Sequence, residues 1–300
     1  MPEYTIGFIG FGEAASAFVS GWRTAGLSTP ITAYDIQIHD ESQRPQLLNR
    51  CVNLDVTPVQ TPQALRNSCN YIVSAVIPEQ TLAAASSIGN LDPTQRYLDI
   101  NSTAPDKKKQ AAHIVGTGYL DLAVLSPVHP KGHKSPILVA GTTAEEEDAF
   151  FTHFFPNAEI FSKEVGSASL VKMIRSIFVK GFEAVAMECA LAIHKVGLAE
   201  QIYPSLDIVL RHNEAQALSD YTMERMAVHG LRRASEMESV CETLAELGLP
   251  SYMSQASVMT QKLVGDLNLS AQYPGGIPTD AEHLAGEILK RLGVTPANPL

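Results

Sequence analysis

Short apolar runs alternate with amphipathic stretches through the first half of the chain. Strands are predicted where the runs are rich in β-branched and aromatic residues, at 4–9, 31–34, 52–56, 70–77, 96–100, 119–124 and 137–140. Helices are predicted for the stretches between them, at 13–25, 41–50, 79–88 and 105–115. This alternation is typical of right-handed strand–helix–strand crossovers, so we expect an α/β fold with a doubly wound, mostly parallel sheet.

The alternation stops near residue 160. Residues 166–196 form one apolar run with helical periodicity, which predicts a helix of roughly 45 Å at 1.5 Å per residue. The run is apolar on most faces, so we expect other helices to cover it. Shorter helices and no further strand are predicted up to about residue 293. The C-terminal part is therefore expected to be all-helical.

Composition and charge narrow the class of protein. Of 300 residues, 45% are hydrophobic and 18% charged, a balance typical of globular proteins. The net charge of -10 disfavours nucleic acid as a partner, although local basic groups can still bind a small anion. The four cysteines form no C-x-x-C pair, which favours reduced thiols, a cytoplasmic location and no zinc site. Neither a basic leader nor an uncharged run of about 20 residues is present, so no signal peptide or membrane span is expected.

A glycine-rich turn follows the first predicted strand. Gly10, Gly12 and Ala15 form a G-x-G-x-x-A pattern at the start of a predicted helix. Gly10 permits a tight turn, Gly12 lets the backbone approach a pyrophosphate, and Ala15 allows close packing of helix on strand. The alternative is an ordinary glycine turn of an α/β fold. The position of the pattern favours a dinucleotide-binding Rossmann domain, for which we expect residues 1–162, followed by a helical catalytic and dimerisation domain, 163–300.

Asp35 ends the second predicted strand. A carboxylate at this position can accept hydrogen bonds from a ribose and repel a 2′-phosphate, which favours NAD. Arg44 lies close enough in sequence to keep NADP possible, and a surface aspartate in a turn is the structural alternative. We therefore expect NAD as the cofactor, with NADP as the second possibility.

Four segments together resemble the β-hydroxyacid dehydrogenase superfamily, which includes 3-hydroxyisobutyrate and 6-phosphogluconate dehydrogenases. They are Gly7–Ala15, Asp99–Pro105, Asp121–Ser126 with its following loop, and Gly166–Ser176. The stretch 229–237 looks like a less-characterised branch with a divergent helical domain. The resemblance implies hydride transfer between a nicotinamide cofactor and a small anionic β-hydroxyacid or its keto form, with Lys172 as the general acid and base.

The resemblance also suggests where the ligands bind. Substrate contacts are expected from Ser102, Thr103, Ser126, Arg175, Ser176, His229 and Arg232. Cofactor contacts are expected from Gly10, Phe11, Gly12, Glu13, Ala14, Ala15, Asp35, Val76, Ile77 and Asn101. This chain has Pro127-Val128 where the family has a glycine pair, and Ser176 where it has asparagine. Because these positions normally touch substrate, the reaction type carries over better than the substrate.

Each of these side chains also has a purely structural interpretation. Lys172 can be a long side chain reaching solvent from a helix end, and Ser102 or Thr103 can cap the helix at 105–115. The loop after Ser126 contains His129, Lys131, His133 and Lys134, which suit an anionic substrate or simply face solvent. Its prolines and glycine argue against a helical metal site at the two histidines. His229, Arg232 and Arg233 share a helix face and can bind an anion or pair with Glu236 and Glu238.

Two further functions fit the same sequence. An imine reductase would use the same fold without a lysine as base, and a dinucleotide-binding sensor would need the N-terminal domain alone. We also expect a homodimer through the C-terminal helices, because the helix at 166–196 is apolar on too many faces for the remaining residues to cover.

Overall fold

A computed structural model describes residues 4–210 and 214–294. Its strands are β1 Ile6–Ile9, β2 Ile31–Tyr34, β3 Thr57–Pro58, β4 Tyr71–Ser74, β5 Arg96–Asp99, β6 Tyr119–Val124, β7 Ile137–Ala140 and β8 Ala158–Ser162. Its helices are α1 Glu13–Thr24, α2 Arg44–Asn53, α3 Pro62–Ser68, α4 Thr81–Ile88, α5 Pro105–Val115, α6 Asp148–Phe154, α7 Ser167–Val196, α8 Ala199–Leu210, α9 Ala215–Glu246, α10 Tyr252–Asp266 and α11 Ala281–Arg291.

The strands form one sheet in the order β3-β2-β1-β4-β5-β6-β7-β8. All neighbouring strands run parallel except β6 and β7, which are antiparallel. The strand order reverses between β1 and β4, and ligands of doubly wound sheets bind in the crevice at such a point. The predicted doubly wound, mostly parallel sheet is confirmed, as is the helical region that follows it.

Two apolar cores cover the faces of this sheet. On one face, Phe8 of β1 packs with Trp22 of α1 and with the aromatic side chains of α6. On the other face, Ile9 packs among α3, α4 and α5. Successive side chains of a strand point to opposite faces, so both faces of β1 are buried and the strand is apolar throughout. A fully buried β1 fixes the start of the glycine turn.

Several details of the predicted elements differ from the structure, which also contains α3, α6 and the two-residue β3 where no element was predicted. The run 52–56 is not a strand: Leu47 and Cys51 are buried one helical turn apart, so α2 continues to Asn53 and Val52 is exposed. The strand β8 lies beyond the last predicted one, on the edge of the sheet, where half-exposed residues give a weak apolar signal. The helices after α7 are not all shorter, since α9 has 32 residues and α7 has 30.

The chain divides into two compact units inside α7, with one ending at Ile177 and the other beginning at Phe178. In the second unit, α9 and α10 approach closely where Gly230 meets Gly265, because a Cβ on Gly230 would lie 2.8 Å from the Gly265 nitrogen. A small core of Ala227, Val264, Leu269 and Leu284 is buried there. Of the helices in the described residues, none is both long and apolar enough to cross a membrane.

Candidate active site

A groove of about 790 Å³ lies at the carboxyl end of the sheet, where the strand order reverses. Its walls come from the ends of β1, β2 and β4 and from the helices that follow them. The lining residues are Ile9, Gly10, Gly12, Tyr34, Asp35, Ile36, Gln37, Asp40, Gln43, Pro62, Ala75, Val76, Ile77, Gln80, Ala83, Ala84 and Ser87. The groove thus contains five of the expected cofactor contacts: Gly10, Gly12, Asp35, Val76 and Ile77.

The glycine turn has the backbone that the motif requires. Gly10 has a φ of +83°, and a Cβ there would lie 2.5 Å from the Ala75 carbonyl oxygen, so only glycine fits without strain. Gly12 has an ordinary φ of -85°, and a Cβ on it would meet no atom of the described chain within 4 Å. Its smallness is therefore not required by the packing of the protein itself. A glycine at this point suits the close approach of a ligand to the first turn of α1.

The other residues of the turn divide between core and surface. Ala15 is fully buried against the sheet, as expected. The ring of Phe11 is also fully buried and packs on Phe8, so its side chain does not face the groove. Glu13 is exposed and Ala14 is partly buried in the first turn of α1, and no side chain caps this helix. The first-turn N–H groups, rather than the side chains, are the feature suited to a pyrophosphate.

Asp35 holds the glycine turn as well as lining the groove. Its Oδ2 accepts a hydrogen bond from the Phe11 backbone N–H at 2.8 Å, and its Oδ1 accepts one from the Gln37 N–H at 2.9 Å. Each carboxylate oxygen can accept a further hydrogen bond. Asp35 can therefore fix the turn and still accept from a ribose hydroxyl. Its negative charge also contributes, after burial, to raising the pKa of neighbouring Tyr34.

Lys172 contacts Ser102. The Lys172 Nζ donates to the Ser102 Oγ at 2.6 Å, which joins α7 to the loop that follows β5. Lys172 is partly buried and Ser102 is exposed, so the pair is accessible to a small molecule. The neighbouring Asn101 is buried and accepts from the Val76 N–H at 2.7 Å. A continuous path of residues thus leads from the groove wall at Val76, through Asn101 and Ser102, to Lys172.

Asn101 therefore stabilises the site from within the protein. Its Nδ2 donates to the Ser74 Oγ at 2.9 Å while its Oδ1 accepts from Val76, so both ends of its amide have protein partners. Thr103 is buried immediately beyond Ser102. The alternative of helix capping is not observed, because the residue that caps α5 is Ala104 and no side chain bonds to the cap.

The other substrate contacts expected in the first unit are Ser176, Arg175 and Ser126. The Ser176 Oγ donates to the Lys172 carbonyl oxygen of its own helix at 2.9 Å. Arg175 is exposed. The Ser126 Oγ donates to the adjacent Pro127 carbonyl oxygen at 3.2 Å and is only partly buried.

The basic loop after Ser126 packs against α1 rather than standing free. A Cβ on Gly21 would lie 2.5 Å from the His133 Nδ1, so the glycine makes room for the imidazole. Burial, and then the nearby Lys134, lower the pKa of His133, which favours the neutral form. His133 thus adds no positive charge for an anionic substrate near neutral pH. Lys131 and Lys134 are exposed and keep their charge at the surface.

His229 and Arg232 lie on α9 in the second unit. Arg232 forms an ion pair with Glu236 one turn further on, and both side chains are more than half exposed. This is the pairing of a solvated helix that we considered as the alternative. Arg233 has a buried Nε with no hydrogen-bond partner among the described residues. A role of this helix face in anion binding stays a prediction.

Sequence reasoning missed a buried ionic cluster beside Ser102 and Lys172. Lys108 of α5 is fully buried, and its Nζ lies 2.8 Å from Asp99 Oδ1 and 3.3 Å from Asp121 Oδ1. It stands in the run Lys107-Lys108-Lys109, which looks like a solvated charged surface. The available signal was helical spacing, because Lys108 shares its face with Ala111 and Val115, both buried.

Comparisons with known proteins agree with this arrangement. Residues 5–103 match a family described as NADP oxidoreductase, coenzyme F420-dependent, and residues 194–264 match a domain of unknown function (DUF1932). A conserved hypothetical protein from Sinorhizobium meliloti 1021 is 30% identical, with 96% of this chain and 97% of that chain covered and a TM-score of 0.58. The conserved protein MTH1747, whose structure resembles 3-hydroxyacid dehydrogenases, is 28% identical over 88% of this chain and 98% of that one, with a TM-score of 0.56.

The chain belongs to the β-hydroxyacid dehydrogenase superfamily. The expected class, an oxidoreductase with a nicotinamide dinucleotide, is confirmed at the level of this superfamily. Among more distant members of the fold, a V8 variant of the imine reductase from Myxococcus stipitatus, solved with NAD+, is 16% identical and has a TM-score of 0.70, with 96% and 100% of the two chains covered. The same imine reductase has been solved with NADP+. At this identity the likeness concerns the fold alone.

Proposed function

We propose that this protein transfers a hydride between a nicotinamide cofactor, NAD in preference to NADP, and a small anionic β-hydroxyacid or its keto form. Lys172 is the general acid and base of the proposed reaction. The observation that carries the proposal is the path from Val76 in the groove through Asn101 and Ser102 to the amine of Lys172. It links a site suited to a dinucleotide with a group able to exchange a proton.

The residues of the groove fit a dinucleotide. Gly12 leaves room at the first turn of α1, where N–H groups favour the pyrophosphate, and Asp35 can accept from the ribose hydroxyls. Ile36 and Ile77 are 75% and 61% exposed on the groove walls, where they can contact the flat face of an adenine ring. A bound nicotinamide would accept or supply the hydride.

In the proposed reaction, the side chain of Lys172 accepts and returns the proton. When an alcohol is oxidised to a ketone, its carbon loses a hydride and its oxygen loses a proton, and the neutral amine of Lys172 takes that proton. In the reverse direction the ammonium returns the proton to the carbonyl oxygen as the hydride arrives. The contact with Ser102 at 2.6 Å orients the Lys172 Nζ, and the Ser102 hydroxyl can in turn bond to the reacting oxygen.

The proposal is tested by variants of Lys172. We expect oxidation of a hydroxyacid in a panel with NAD+, followed at the absorbance of NADH, and a loss of about 10²–10⁴-fold in kcat for Lys172→Ala, the contribution of a positioned base. Lys172→Arg should lose nearly as much, because a guanidinium stays protonated. Binding of NADH, measured by fluorescence titration, should be nearly unchanged.

A matched control is Lys180→Ala, which removes an exposed lysine from the same helix. It should leave both kcat and NADH binding unaltered. Near-normal turnover of Lys172→Ala would show that the lysine is structural. Activity confined to cyclic imines would replace the proposal with imine reduction, and NADH binding without turnover of either panel would indicate a sensor.

A further inference from the structure

The buried ammonium of Lys108 lies among acceptors from two strands. Its Nζ donates to the Asp99 carbonyl oxygen at 2.7 Å and to Asp99 Oδ1 at 2.8 Å, and it lies 3.3 Å from Asp121 Oδ1. An ammonium has three donors, so these contacts can account for all of them. The three side chains are fully buried. An ionic group in such surroundings is tolerated because its partners are fixed.

Asp99 fixes the loop that carries Ser102. Its Oδ1 accepts from the Asn101 N–H at 2.8 Å, and its Oδ2 accepts from the Tyr119 hydroxyl at 2.6 Å. Burial, together with the charge of Asp99, raises the pKa of Tyr119 well above its ordinary value, so the phenol keeps the proton that it donates. The hydrogen bonds of Asp99 therefore fix the start of the turn that leads from β5 to Ser102.

Asp121 fixes the helix that carries Lys172. Its Oδ2 accepts from the Gly166 and Ser169 N–H groups at 3.1 and 3.0 Å, and its Oδ1 accepts from the Ser169 Oγ at 2.6 Å. A carboxylate from β6 thus binds the N–H groups at the start of α7, where the helix dipole also favours negative charge. Lys172 lies three residues beyond Ser169, within one turn.

We propose that Lys108 is a positioning residue that fixes the position of Ser102 relative to Lys172. One carboxylate anchors the loop, the other anchors the helix, and Lys108 bonds to both. Without the ammonium, two buried carboxylates would face each other with no cation between them, and their repulsion would move them apart. The relative position of the Ser102 Oγ and the Lys172 Nζ would then no longer be fixed. The inference rests on the proposed function for the role of Lys172.

The first test measures the geometry without any substrate. Lysines of the folded protein are acetylated with a succinimidyl acetate at a fixed pH, and the rate at Lys172 is followed by peptide mass spectrometry. In Lys108→Met, we expect Lys172 to react about fivefold faster, the protection that one ordinary hydrogen bond provides. Lys109→Met is the matched control, because Lys109 is the next residue of α5 but is 52% exposed and pairs with Glu164 at the surface. In this control, Lys172 should be acetylated at the wild-type rate.

A second pair of variants keeps the test decisive if Lys108→Met does not fold. Ser169→Ala removes one hydrogen bond to Asp121 and should speed acetylation of Lys172 by a smaller factor. The double variant Lys108→Met with Asp121→Asn removes one cation and one anion together, so it should fold, and its Lys172 should be acetylated faster than in Asp121→Asn alone. Wild-type rates in the folded variants would overturn the proposal.

Turnover provides the second readout. If a hydroxyacid substrate is found, Lys108→Met should lower kcat by about 10²-fold, the effect of a displacement of about 1 Å at a reacting group, with NADH affinity little changed. If no substrate is found, the proposed function fails, and the acetylation rates still decide whether Lys108 positions Lys172. An unchanged kcat together with faster acetylation would support the positioning of Lys172 by Lys108 and would contradict the proposed role of Lys172 in the reaction.

Discussion

Asp35 should set the preference for NAD over NADP. It lines the groove together with Asp40, and the lining residues include neither arginine nor lysine. Among the lining residues, the 2′-phosphate of NADP would therefore meet two carboxylates and no cation. The nearby Arg50 already donates from its Nη2 to the Oε1 of the lining residue Gln37 at 3.2 Å. Asp35→Asn is the informative change, because it removes the charge while its Oδ1 can still accept from the Phe11 or Gln37 N–H.

The magnitude follows from Coulomb's law. Two unit charges about 5 Å apart repel by about 1 kcal/mol in water and by about 3 kcal/mol at an effective dielectric constant of 20. Because Asp35 is partly buried at the groove wall, its surroundings fall between these limits. The wild type should thus bind NADH about 5- to 150-fold more tightly than NADPH.

The assay is a fluorescence titration of each variant with NADH and with NADPH. Asp35→Asn should reduce the ratio of the two affinities to within about threefold, and it should weaken NADH itself because the ribose loses a charged acceptor. Asp40→Asn is the control: it removes a charge from the same groove but has no contact with the glycine turn in the described structure, so it should narrow the ratio less. Tighter binding of NADPH by the wild type, or an unchanged ratio in Asp35→Asn, would refute the reasoning.

Two further predictions concern the helical unit. Burial alone would raise the pKa of Glu188, but hydrogen bonds from Ser254 and Met253 together lower it. Glu188→Gln should therefore destabilise the unit by about 1 kcal/mol at pH 7. Urea unfolding followed by circular dichroism measures this loss. Because its pKa is lowered in the folded state, the Glu188 carboxylate contributes stability above its unfolded pKa, so the difference in unfolding free energy between wild type and Glu188→Gln should disappear as the pH falls below about 4. A loss of stability that does not depend on pH would contradict this. So would an equal loss in the exposed control Glu183→Gln. The apolar face of α7 that carries the stacked rings of Phe178 and Phe182, 59% and 49% exposed, should be covered in a homodimer. Light scattering should therefore give twice the 32.4 kDa chain mass, and Phe178→Glu should give monomers. Lys180→Glu is the control, and a monomeric wild type at micromolar concentration would refute the dimer.

The sequence predicts most clearly what is buried on regular faces. The strands β1 and β6 are apolar because both faces of the sheet are covered, and α7 was recognised from its long helical period. The glycine turn was predictable because backbone constraints select glycine at Gly10 whatever surrounds it. Local residue types carry these features, so no knowledge of distant contacts was needed.

Features that depend on distant contacts were not predictable. Lys108 of α5 is buried against Asp99 of β5 and Asp121 of β6, whereas the identical residues Lys107 and Lys109 beside it are exposed. His133 is buried because Gly21 on α1 leaves space for it. In both cases the residues that decide the environment lie on other elements, so a single sequence gives only the spacing of buried positions as a hint.

The arrangement of the site bears on the expectation that the family resemblance indicates the type of reaction better than the substrate. The residues proposed to move the proton are held from within the protein: Asn101 bonds to Val76 and Ser74, and Ser102 bonds to Lys172. These hydrogen bonds form within the protein and do not require a particular substrate. The two departures from the family pattern are elsewhere, at Pro127-Val128 in the loop after β6 and at Ser176, whose hydroxyl bonds to its own helix. A substrate must then be recognised by groups other than a glycine-rich loop and an asparagine, so we expect an acid that differs from hydroxyisobutyrate where those groups would touch it.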